Sequence, residues 1–137
     1  MPSKTPQKRN AAADPDPYVI VDFVFDRGML SITIKNIGTR PAFDVRVDFS
    51  QKLMGVSGTV EVSALPLFSA LEFLPGGKEI GTFLDSSVSY FRNKQPTKIT
   101  TRILYKDARG AKLSNTIHHN LEIYREIGYT VQANGEE

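Results

Sequence analysis

The adjacent pair His118-His119 is the part of this chain best suited to move protons or to hold a metal ion. Imidazole titrates near neutrality, and its neutral form ligates divalent transition metals. Neighbours on an extended chain point to opposite faces, however, so the pair cannot converge on one ion without a bulge. His119 shares its parity with Leu121 and Ile123, and His118 with Thr116 and Asn120. One half-buried and one exposed histidine is the expectation, with no metal site. Cysteine is absent, which removes thiolate nucleophiles, zinc–thiolate centres and disulfides. Ser57-Gly58 has neither a G-x-S-x-G setting nor a paired base, and no phosphate-binding glycine loop occurs. Asp107 offers one carboxylate where calcium takes six or more oxygens, so turn chemistry explains it better. This inventory predicts no catalytic residue, no cofactor, no metal and no small-molecule substrate: the chain is read as not an enzyme.

Side chains suited to binding are easier to find. Within Ser87 to Lys94 stand Tyr90, Phe91 and Arg92, residue types enriched where protein interfaces concentrate their energy. They are the candidate partner-binding residues, although Tyr90 and Phe91 equally suit a plug at one end of a β-sandwich. Val56 to Phe68 is a second candidate, as an uncovered edge strand able to accept a partner strand. Asp44, Arg46 and Asp48 form an outward charged row that reads as a solvated face guarding against edge association. The formal net charge of +2 is close to balanced, and Lys4, Lys8 and Arg9 are too sparse to release many counterions. Neither nucleic acid nor membrane is expected as a partner, and no segment approaches the ~20 apolar residues that span a bilayer.

The elements that must position these groups are strands. Val19, Val21, Phe23 and Phe25 share one parity, as do Leu30, Ile32 and Ile34, and then Ile99, Thr101, Ile103 and Tyr105. Phe43, Val45, Val47 and Phe49 are expected inward, opposite the charged row. A period of two with one apolar face requires a sheet that is dry on one side and wet on the other. Thr59 to Ser63 and Leu67 to Phe73 read as short edge strands, with Pro66 tolerated at an edge. Lys78 to Leu84 reads as another strand, with Ile80 and Leu84 or Phe83 inward. A single helical turn is expected around Ser89 to Asn93. The last strand is expected from Lys112 to about Tyr124, with Leu113, Ile117, Leu121 and Ile123 on one side. About seven short strands without a long helix point to a sandwich or barrel.

The turns carry the remaining information. Gly28 and Gly38 are expected to adopt backbone conformations that are costly for other residues, with Asn36 bonding the backbone ahead of it. Pro75-Gly76 fits the two central positions of a type II turn, and Asp107 to Gly110 fits a type I turn followed by a left-handed glycine. The string from Leu30 through Asn36-Ile37-Gly38, then Ala42 to Val47, then Leu74-Pro75-Gly76-Gly77, resembles the bacterial immunoglobulin-like domains called CARDB, the cell-adhesion-related domains. The resemblance covers most of Val19 to Tyr124 and rests on turn residues. It implies an immunoglobulin-like antiparallel β-sandwich and names no active-site residue.

The expectation is therefore a flexible N-terminal arm over 1–17, a sandwich over 18–127 and a flexible tail over 128–137. The function expected is a non-enzymatic interaction module that binds a protein partner through loops or an edge strand. The alternative is a self-associating structural subunit, a decoration or shell component. As written the sequence reads as cytoplasmic, and as extracellular if it is a fragment of a longer exported protein.

Overall fold

Runs in which β-branched and aromatic residues alternate with polar ones become strands in the computed structural model, which describes residues 16–125 and 127. The elements run β1 (Val19–Asp26), β2 (Met29–Asn36), β3 (Ala42–Phe49), β4 (Met54–Gly55), β5 (Val60–Glu61), β6 (Leu71–Leu74), β7 (Glu79–Ser86), helix α1 (Ser87–Arg92), β8 (Lys98–Lys106) and β9 (Lys112–Asn120). A three-stranded sheet of order β1-β2-β7 faces a four-stranded sheet of order β6-β3-β8-β9, and β4 and β5 form a small ribbon. All pairings are antiparallel. The fold is an all-β sandwich.

Its core is the sum of the inward rows. Val19, Val21 and Phe23 from β1, Leu30, Ile32 and Ile34 from β2, Val45 and Val47 from β3, and Ile99, Ile103 and Tyr105 from β8 are all buried. Each large side chain so buried contributes roughly 1.5–3 kcal/mol of transfer free energy. Arg27-Gly28 closes the β1–β2 hairpin with both residues at positive φ, 52° and 81°, the two-residue turn whose twist matches paired strands.

One pole of the sandwich is organised by Asn36, which is fully buried. Its Nδ2 donates to the carbonyls of Arg40 at 2.8 Å and Leu74 at 3.1 Å. Its Oδ1 accepts from the amides of Gly38 at 2.9 Å and Tyr18 at 3.1 Å. One amide side chain thus uses both donor hydrogens and both acceptor lone pairs, joining the two sheets and the crossing loop. Gly38 is required here for space rather than for φ: a Cβ would lie 2.3 Å from the Asp16 carbonyl oxygen. The next turn is displaced by one residue from expectation. Lys78 N–H donates to Pro75 O at 3.1 Å, so Gly76 and Gly77 are central, and it is Gly77 that has φ of 81°. Gly76 is needed because a Cβ would meet Thr39 O at 2.4 Å. Gly110 is left-handed at 86° as expected, and Asp107 accepts from the amides of Arg109 and Ala111.

Other expectations are corrected. Phe43 is not inward: Asp44 takes φ of 51° at a bulge, which turns Phe43 to pair with Phe73 and Lys106 while Ala42 is buried instead. Of Thr59 to Ser63 only Val60–Glu61 is strand, and Leu67 to Phe73 begins as a 3-10 turn with Pro66 in its first position. In β7 it is Leu84 that is buried, while Phe83 is 46% exposed. The last strand stops at Asn120, leaving Ile123 exposed in a helical turn. The arm expected over 1–17 lies outside the described residues up to residue 15, and Pro17 is buried. The tail expected over 128–137 also lies outside them.

Candidate interaction surface

The residues singled out for partner binding sit at the opposite pole from Asn36. Ser86 caps α1 by accepting from the amide of Ser89 at 3.1 Å, and the helix lies across the open end of the sandwich. Tyr90 is fully buried and its hydroxyl donates to Pro96 O at 2.5 Å. Burial, with the neighbouring Asp85 carboxylate second, pushes its phenol far above the ordinary value. Phe91 meets Tyr90 edge to face at 5.9 Å and lies under the Arg125 guanidinium, 4.4 Å from the ring centre. Arg125 in turn holds Glu122 through two hydrogen bonds of 2.9 and 3.0 Å, which lowers the Glu122 carboxyl pKa. Of the three candidates, Tyr90 therefore serves as the plug, Phe91 is half-covered and Arg92 is exposed. They do not present a joint surface.

Beneath α1, Asp85 is 3% exposed and accepts from the amides of Ser86 at 2.8 Å and Ser57 at 3.2 Å. Val56, Ser57 and Gly58 are all at positive φ, a run that breaks the extended backbone an accepting edge would need. The segment Val56 to Phe68 consequently offers no continuous edge strand. The histidines diverge as expected. His118 is exposed with Nδ1 2.9 Å from Thr100 Oγ1, whereas His119 is half-buried with Nε2 3.0 Å from Thr101 Oγ1 and its ring 4.8 Å from Phe23. Burial lowers the His119 pKa below the ordinary imidazole value. Among the described residues no group of three or more His, Cys, Asp or Glu is placed to hold a metal ion. No described helix is long and apolar enough to cross a membrane.

Unused backbone hydrogen-bonding capacity lies along a sheet edge among the described residues. In the two facing sheets four strands are outermost, and three of them are short, partly met by other groups or interrupted by glycine. β6 spans only Leu71–Leu74. β7 is met by Val56 N–H, which donates to Leu84 O at 2.8 Å, and the rest of it contains Gly81, a weak strand residue. On β1, Asn115 Nδ2 donates to Val19 O at 2.8 Å and the Tyr124 hydroxyl donates to Phe23 O at 3.1 Å. β9 differs. Its odd residues face β8, because Asp107 N–H donates to Ala111 O at 3.0 Å and Leu121 N–H to Thr97 O at 2.7 Å in the same register. The amides and carbonyls of Lys112, Ser114, Thr116, His118 and Asn120 therefore point outward, and no described backbone group pairs with them across that edge. All five side chains are exposed. A signal for this edge was present in the sequence: one parity from Lys112 to Asn120 is wholly polar, carries one formal charge and lacks proline.

No curated protein and no solved structure matches the chain. Residues 3–125 match the family described as Domain of unknown function (DUF8453). That match spans both sheets, α1 and the exposed edge, and the chain belongs to this family.

Proposed function

We propose that this protein is a non-enzymatic interaction module that takes up an extended segment of a protein partner along β9. The observation that carries the reading is the row of outward backbone groups from Lys112 to Asn120, a nine-residue edge with which no backbone group pairs among the described residues. Such an edge gives affinity through main-chain hydrogen bonds, and pockets beside alternate side chains give selectivity. The half-buried Leu113 and Ile117 border that edge on the inner side and offer apolar contact to every second residue of an added strand. A single cation on the strand, Lys112, favours a polypeptide over nucleic acid. Antiparallel sheets with chain crossings between them support the immunoglobulin-like, CARDB-like reading of the turn residues.

The test is selection of random nonapeptides on the immobilised chain, followed by amide chemical-shift mapping of those that bind. The expected peptides alternate apolar and polar residues and perturb the amides of Ser114, Thr116 and His118. Thr116→Pro should abolish their binding without unfolding the domain, because the Thr116 N–H is not used by β8. Peptides that map to α1, or binding indifferent to Thr116→Pro, would overturn the reading.

A further inference from the structure

We infer that the segment received by β9 is β9 of a second copy, paired antiparallel about a two-fold axis through Thr116; this rests on the edge reading above. The strand is complementary to itself in that register. The outward-bonding residues are the even ones, so Thr116 opposes Thr116 of the other copy, Ser114 opposes His118 and Lys112 opposes Asn120. Every one of these is a pair whose backbone groups both point at the partner, giving about ten new main-chain hydrogen bonds. Strand pairing in any register that mixed the parities would bring outward groups against inward ones and lose them.

Charge allows the same arrangement. Lys112 is the strand's one formal charge, and the register sets it against Asn120 at the far end of the other copy. No like charges oppose each other, and the polar pairs Thr116 with Thr116 and Ser114 with His118 are hydrogen-bonding types favoured across strands. The two other long outermost strands carry more charge of one sign, Asp22 and Asp26 on β1 and Glu79 and Asp85 on β7, and β6, with the single charge Glu72, is only four residues long. The inner row supplies apolar area. Leu113 and Ile117 are half-buried at the open side of the sandwich, and a second copy would cover them with His119 and Asn115 opposite. The product is one continuous sheet made from both four-stranded sheets, closed by an isologous contact that does not propagate into a fibre.

The experiment is light scattering of the full chain from low micromolar to millimolar concentration, beside Thr116→Lys. Thr116→Lys keeps the backbone and places two ammonium groups face to face on the axis. Circular dichroism should show it folded, since the site is exposed. A dimer that this variant weakens at least about tenfold is the expected result. A dimer indifferent to Thr116→Lys overturns the inference by placing the contact elsewhere. A monomer at every concentration also overturns it. If that monomer still binds nonapeptides selected on the immobilised chain at the Ser114 and Thr116 amides, the edge reading stands with another occupant. If it does not, the edge reading falls as well.

Discussion

At the residue scale, Asn36 is a hub between the two sheets. Its side chain satisfies two carbonyls and two amides at the junction of both sheets with the loop between them. Asn36→Ala strands those groups in a buried site, and an unsatisfied buried polar group costs ~1–3 kcal/mol. Denaturant unfolding is expected to show a loss of about 3 kcal/mol or more, and a loss below about 1 kcal/mol would refute the hub. His119 sets a pH dependence. Burial is the larger cause of its lowered pKa, with the Asp22 carboxylate opposing and His118 adding to the shift. The unfolded chain therefore binds a proton more readily than the folded one as pH falls through the ordinary imidazole value of 6.5. The sign follows: stability is full above that value and declines as the pH drops toward the lower folded value. Melting temperatures taken across that window should fall for the wild type, and His119→Gln should flatten the slope. Asp107 belongs to the same scale but to simpler chemistry. Amides of its own turn, Ala111 first, hold its carboxyl below the usual range.

At the element scale, α1 is a closure and not a display. Tyr90 fills the end of the sandwich and hydrogen-bonds Pro96, the residue two before β8 begins, so the helix also fixes where that strand starts. Tyr90→Ala is expected to destabilise by about 3–5 kcal/mol, and Tyr90→Phe by about 1 kcal/mol through the unpaired carbonyl. Thermal unfolding of the two variants checks the order, and equal losses would count against the hydroxyl's role. The strands were legible because period two survives without knowledge of partners: Leu30, Ile32 and Ile34 could face only a core. What was illegible follows from local geometry that residue types under-determine. Asp44 tolerates positive φ, and that single choice reversed Phe43. Gly76 and Gly77 are chemically alike, so residue type does not distinguish Gly77, which is left-handed, from Gly76, which lies against Thr39. Pro66 suits both an edge strand and the first position of a 3-10 turn, and the chain takes the turn.

At the scale of the whole molecule, the sandwich was readable and the surface it leaves open was not. Which strand lies outermost depends on pairings between distant segments, β2 with β7 in one sheet and β3 with β8 in the other. Capping of the β1 edge depends on Asn115 and Tyr124, residues far from it along the chain. Tyr90, Phe91 and Arg92 stand out by type alone, and the burial of Tyr90 and the packing of Arg125 over Phe91 show how differently the fold places them. The same cross-sheet contacts have a mechanical consequence. The described chain enters at the Asn36 pole, and β1 and β9 both run away from it, with Val19 beside Asn115 and Phe23 beside His119. Tension drawn between Asp16 and Tyr124 acts along these strands, so the Asn115 and Tyr124 contacts are loaded in shear and share the force instead of peeling apart in turn.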